Sequence, residues 1–183
     1  MAVRAVDRRD RDSRQEMLDA AERVVREKGA NHLTIDAVAQ ASGYSKGGVL
    51  YNFPSKLALL DGMVARTVRE IEEEVDGLRR RITSKRRTLK AILGSNFMDE
   101  RKKPVAQAFL AAVAENPRYA DWVSPAILRR LDHLREESGD DDLDIIIWLA
   151  FEGMRFFEML GISVLSDQER SRIEDRLLAL ADR

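Results

Sequence analysis

The sequence predicts an all-α protein of about nine helices, and three observations carry that reading. Apolar residues recur at intervals of three and four over most of the chain, the signature of one helix face. No stretch sustains the apolar–polar alternation of a strand between hairpin turns. Breakers are few, four prolines and ten glycines in 183 residues, and those at 29, 43, 54 and 161 close periodic segments.

The first helix is expected from Ser13 to Lys28, with Met17, Leu18, Ala21, Val24 and Val25 on one face and Gly29 capping its end. A second starts at Thr34 as cap, with Asp36 in its first turn and Leu33 able to pack on Val38; Gly43 closes it. A third starts at the cap Ser45, with Tyr44 and Val49 as its apolar staple. It stops near Asn52, because Pro54 disfavours helical geometry at Phe53. From Ser55, Leu57, Leu60, Val64, Val68, Ile71, Val75 and Leu78 mark one amphipathic helix to about Arg80, roughly 39 Å long. Further helices are expected at about 84–97, 102–115, 118–137, 141–161 and 167–181, the last opened by Ser166 and Glu169 at capping-box spacing. No internal repeat or low-complexity segment is present.

Composition narrows the function classes. The chain has no cysteine, which rules out disulfides, thiol catalysis and cysteine-held metal sites, and no metal or cofactor is called for. The two histidines, His32 and His133, lie far apart and outside any metal-ligand motif, and neither a phosphate loop nor G-x-S-x-G occurs, so an enzyme is not expected. The charged start MAVRAVDRRDRD is no secretory signal, and the apolar run Leu143 to Leu165 contains Asp144, Glu152, Arg155 and Glu158, too much charge for a membrane span. A cytoplasmic protein without a membrane partner is the expectation. The net charge of −1 makes any nucleic-acid surface local rather than global.

Residues 34 to 52 read as helix, glycine turn, helix on a preceding helix. That is a helix-turn-helix arrangement, though an ordinary helical hairpin has the same pattern. With Ser45 as cap, Gly47 and Gly48 fall at the second and third helical positions. There backbone N–H groups lack helical partners and a missing Cβ permits close approach to a phosphate or base edge. Lys46 adds charge, and Tyr51 shares the face of the two glycines.

The segment LTIDAVAQASGYSKGGVLYNFPSKLALL, Leu33 to Leu60, resembles the DNA-binding region of the tetracycline-repressor family. The matching positions are Thr34, Ala39, Gly43, Ser45, Tyr51, Phe53, Ser55, Lys56, Leu59 and Leu60; Asn52 departs from the His or Tyr usual after the tyrosine. The resemblance covers about residues 13 to 62 and implies a helix-turn-helix DNA-binding domain at 1–54 and a ligand-binding and dimerisation domain at 55–183. It further implies that Thr34 and Lys56 contact phosphate, that Ser45, Lys46, Gly47 and Gly48 line the mouth of the DNA groove, and that Tyr51 and Asn52 reach phosphate or base edges. Leu50 and Phe53 are assigned to the core. Arg4, Arg8, Arg9 and Arg11 read either as a minor-groove arm or, with Asp7, Asp10 and Asp12 between them, as a solvated disordered tail.

By the same resemblance the protein is a homodimer joined through its last two helices, operator DNA is its partner, and a hydrophobic or amphipathic small molecule is its effector. Ile173, Leu177, Leu180 and Ala181 are the candidate dimer seam. Candidate pocket residues are Phe97, Phe109, Trp122, Trp148, Phe151 and Met154, with Glu152 or Arg155 as polar anchors, although aromatic and Met residues at helical spacing more often build a plain core. The function expected is a ligand-responsive transcriptional regulator, a repressor released from a palindromic operator by a small molecule. The alternatives are an activator of the same fold and a helical interaction protein that never meets DNA.

Overall fold

The computed structural model describes residues 2–95, 99–137, 141–162 and 164–182, with side chains from residue 12 onward, Asp141 excepted. These residues form nine α-helices and two short 3-10 turns, with no strand among them. The helices are α1 (Ala2–Lys28), α2 (Ile35–Ser42), α3 (Lys46–Asn52), α4 (Lys56–Arg79), α5 (Arg87–Gly94), α6 (Lys102–Glu115), α7 (Ser124–Glu137), α8 (Asp141–Met159) and α9 (Asp167–Ala181). The 3-10 turns are Ala30–His32 and Pro117–Trp122. No helix among the described residues is long and apolar enough to cross a membrane.

Most boundaries follow local chemistry. The side chains of Thr34, Ser45 and Ser55 accept hydrogen bonds from the N–H of Ala37, Gly48 and Ala58, at 3.0, 3.1 and 3.1 Å, and so start α2, α3 and α4. Ser166 and Glu169 form a reciprocal capping box at α9. Gly43 ends α2 with φ 78°, a left-handed conformation that a side chain would strain.

Two expectations are corrected. The first helix begins at Ala2 rather than Ser13, so the leading stretch is helical and not a disordered tail. It lacks Gly and Pro and is rich in Ala and Arg, strong helix formers that an apolar pattern does not register. The segment expected as one helix at 118–137 divides at Ser124, where Pro125 enters the first turn of α7; there its missing N–H costs nothing.

The chain divides into two compact units, one of residues 1–67 with 100–122, the other of 68–99 with 123–183. In the first, Met17, Leu18, Ala21, Leu33, Val38, Val49, Phe53, Leu59 and Met63 are all essentially buried. An ionic cluster centred on the buried pair Arg66 and Glu22 runs beside them. Arg66 of α4 donates to Asp19 Oδ1 at 2.6 Å and to Glu22 Oε1 at 3.1 Å, and Arg101 reaches the other oxygen of Glu22 at 3.1 Å.

The second unit has its core in Ile71, Val75, Leu89, Ile92, Leu134, Ile147, Trp148, Phe151 and Leu177. Glu137, at the end of α7, accepts hydrogen bonds from Arg79 at 2.6 Å, Arg87 at 2.8 Å and the Thr88 N–H at 2.7 Å, tying three helices at one carboxylate. Arg86 meets the buried carboxylate of Asp144 at 3.0 Å and the Leu180 carbonyl at 3.2 Å.

Candidate nucleic-acid interface

The surface that carries α3 is held from behind. Val49 and Phe53 point into the core and are fully buried, which leaves the opposite side of the helix to solvent. Two arginines of α1, not foreseen from spacing, satisfy carbonyls at the ends of the helix pair. Arg23 donates to the Ala41 carbonyl at 2.6 Å; Arg14 donates to the Asn52 carbonyl at 2.8 Å and lays its guanidinium 4.2 Å over the Phe53 ring. Helix ends leave carbonyls without partners, so Arg on the facing helix is the signal that could have found them. Tyr44, in the turn, donates to Glu16 of α1 at 2.6 Å; that hydrogen bond, with burial and the negative charge nearby, raises the phenol's pKa above its ordinary value.

On the exposed side the predicted residues gather on α2, α3 and the start of α4. Tyr51 is 81% exposed, and its hydroxyl makes no hydrogen bond among the described residues, so it contributes little to the fold. Lys46 pairs with Asp36 of α2 at 2.9 Å, with both side chains open to water. Such a pair is weak and easily exchanged for a phosphate. Lys56, the first residue of α4, is exposed and unpaired among the described residues. Thr34 is engaged as the cap of α2.

Neither glycine of α3 is required by the fold. Both have ordinary helical φ; a Cβ on Gly47 would come no nearer than 4.0 Å to the Ser45 Oγ, and one on Gly48 would meet the same atom at 3.4 Å. What their absence of side chain leaves is an open, smooth patch of backbone beside Lys46 and Tyr51. The Gly48 N–H, expected to lack a partner, is taken by Ser45. Asn52 turns its amide back to the Gly48 carbonyl at 3.2 Å. Leu50, assigned to the core, is instead 39% exposed, because Val49 and Phe53 occupy the inward face of so short a helix.

The predicted ligand residues do not gather at one place. Phe97 lies outside the described residues. Phe109 and Trp122 fall in the first unit, with ring centroids 6.2 Å apart, and Tyr119 stacks on Trp122 at 4.8 Å. Trp148 and Phe151 are core residues of the second unit, and Met154 packs against that core. Glu152 accepts from the Trp148 indole N–H at 3.1 Å. Burial raises its pKa, opposed by that hydrogen bond and by the charges of Arg155 and Arg130. Arg155 lies 4.2 Å over the Phe151 ring and donates to the Ser95 carbonyl; its pKa, like that of Arg130, is lowered by burial. The second unit does hold a cavity of about 190 Å³, lined by Glu72, Val75, Asp76, Arg79, Thr88, Arg129, Arg130 and His133, none of them foreseen.

The seam residues of α9 face inward. Leu177 and Ala181 are buried in the second unit's own core, and Ile173 and Leu180 pack against it. Among the large apolar residues left in water, Ile146, Leu149 and Phe156 of α8 and Leu160 in the turn after it, spaced by three, seven and four, form a stripe that is 45–61% exposed; Leu128 of α7 and Ile162 and Val164 beyond α8 are exposed as well.

Comparison with known proteins accounts for most of the chain. Residues 17–63 match the model of bacterial regulatory proteins of the tetR family, and residues 86–182 match the tetracyclin repressor-like C-terminal domain. No curated protein sequence matches the chain. Among solved structures, a protein of Saccharomonospora viridis in complex with choline is 18% identical, with 94% of this chain and 96% of that one covered, at TM-score 0.72. A transcriptional regulator of Rhodococcus sp. is 16% identical over 92% of this chain and 94% of that one, at TM-score 0.73. The multidrug binding protein EbrR in complex with malachite green is 20% identical over 91% and 96%, at TM-score 0.62.

Proposed function

The chain belongs to the tetR family of bacterial regulatory proteins, and on that premise we propose that it represses transcription as a homodimer on a palindromic operator and is released by a small molecule. The family is one of DNA-binding regulators and not of enzymes. The observation that carries the DNA half is the patch around α3, where two glycines that the fold does not require lie beside Lys46 and the solvent-exposed Tyr51. Lys46 and Lys56 supply charge to phosphates, Tyr51 and Asn52 reach phosphate or base edges, and the glycine backbone allows close approach.

The stripe on α8 supports the homodimer. A row of large apolar side chains left in water is characteristic of an interface rather than a monomer surface. Two copies joined there present two recognition helices, which read half-sites about 34 Å apart, one DNA turn.

For release, α4 is the connecting element. Lys56 stands at its start, while Glu72, Val75, Asp76 and Arg79 toward its other end line the cavity of about 190 Å³. A ligand that prefers one position of this helix shifts the population away from the spacing that fits the operator, and a coupling of about 1–3 kcal/mol is enough for a 5- to 150-fold effect. The choline and malachite green held by similar proteins support a small organic molecule as effector.

The test is a titration of DNA flanking the chain's own gene at several salt concentrations, repeated with candidate effectors. Tight binding that weakens steeply with salt is the expected result. Binding no tighter than to unrelated DNA refutes the reading.

A further inference from the structure

A cleft of about 400 Å³ opens within the first unit, between the 3-10 turn after α1, the first turns of α4 and the second half of α6. Sites that bury a drug-sized molecule span roughly 300–1,000 Å³, so this one is large enough to be occupied. Leu33, Leu57 and Leu60 form one wall; Ala108, Ala111 and Ala112 of α6 form the other. On the α6 side the small side chains of alanine leave this space open. Leu57 remains 41% exposed, so apolar surface stays in water there.

Two charges also line the cleft, Lys56 and Glu115, and neither has a hydrogen bond or ion pair among the described residues. They restrict what the cleft accepts. Both residues are exposed, so their heads keep water, and a purely apolar guest would use neither charge. An anion would meet Glu115, and a cation would meet Lys56. The geometry points to a site for a small amphipathic zwitterion, of the class of apolar amino acids and short apolar peptides. Its anionic group sits on the Lys56 ammonium, its cationic group on the Glu115 carboxylate, and its body on the leucine and alanine walls.

This site has a consequence that rests on the DNA reading above. Lys56 is the ammonium assigned there to a phosphate, so zwitterion and operator draw on the same group. Each then weakens the other by the same factor.

The test begins with calorimetric titration of the full chain, without DNA, using L-leucine, L-phenylalanine and leucyl-leucine as probes and octanoate and octylammonium as singly charged controls. At least one zwitterion is expected to bind saturably and more tightly than either control. Glu115→Gln removes one charge, and Ala111→Phe fills the cleft from a solvent-exposed position; each is expected to weaken that binding at least about tenfold. No saturable binding by any zwitterion, equal binding by octanoate, or unchanged binding by both variants overturns the assignment. In a second arm, saturating zwitterion is expected to lower the affinity of the wild-type chain for its flanking DNA about fivefold or more. Unchanged affinity overturns the sharing of Lys56. If the chain binds no DNA even without probe, the regulator reading fails while the first arm still decides the cleft.

Discussion

Gly62, in α4, lies against Phe53 at the end of the recognition helix and Leu18 of α1. A Cβ there would lie 2.9 Å from Cε1 of Phe53 and 3.1 Å from Cδ2 of Leu18. Neither neighbour can yield cheaply: Phe53 is fully buried and Leu18 nearly so, and Arg14 covers the Phe53 ring at 4.2 Å. Alanine at this position gains roughly 1 kcal/mol of helix propensity over glycine. Overpacking a close-packed core costs about 1–3 kcal/mol, so Gly62→Ala is expected to leave stability between unchanged and about 2 kcal/mol lower. Gly77→Ala, in the same helix, is the control, because a Cβ at Gly77 meets nothing within 4 Å; it is expected to gain the full propensity term. At about 2–4 °C per kcal/mol for a chain of this size, the two variants should differ in Tm by about 2 to 12 °C, with Gly62→Ala lower. Since Phe53 is the C-terminal cap of α3, its N–H bonded to the Val49 carbonyl at 2.8 Å, DNA affinity should fall with stability for Gly62→Ala alone. Equal gains in Tm by the two variants would refute the argument that Phe53 is held in place.

Three further outcomes are expected. Arg66→Met leaves Glu22 buried with only Arg101 beside it and should cost about 3 kcal/mol, the low end for breaking a buried ion pair, read as a loss of urea stability. Burial alone would raise the pKa of Glu137, but hydrogen bonds from Arg87, the Thr88 N–H and Arg79 outweigh it and hold the value below the usual carboxylate range. Its contribution is therefore present above the ordinary glutamate value of about 4.3 and lost as pH falls through the lower folded value; Tm measured from pH 6 to 3 should fall less steeply in Glu137→Gln. Leu149→Arg, at the centre of the exposed α8 stripe, should convert dimer to monomer by light scattering without lowering helical content.

Local chemistry was the legible part. Hydroxyl caps at Thr34, Ser45, Ser55 and Ser166 and the left-handed Gly43 act within four residues of themselves, so spacing alone locates the helix starts they set. What spacing does not contain is the partner of each helix face. Trp148 and Phe151 read as pocket candidates or, more often for such residues, as core, and the packing of α8 against α5, α7 and α9 places them in the core. The α9 residues Ile173, Leu177, Leu180 and Ala181 form a sound apolar face, and spacing does not tell that Leu177 and Ala181 are buried in the chain's own core while Ile173 and Leu180 are partly buried against it. Arg14 and Arg23 escaped notice because a carbonyl acceptor on another helix leaves no mark on side-chain periodicity. Pro125 was legible in principle as a helix start, and the apolar period running through it concealed the break.

The central claim is that the backbone at the start of α3 touches DNA. The measurement is a titration of wild-type chain and Gly48→Val against the same flanking DNA at fixed salt, with Tm recorded for both. In the fold a Cβ on Gly48 meets only the Ser45 Oγ at 3.4 Å. Valine should therefore shift Tm by no more than about 2–4 °C, the effect of 1 kcal/mol, while DNA affinity falls at least about tenfold, the loss expected when one close contact is blocked. A Gly48→Val chain that binds this DNA as tightly as the wild type would contradict the account.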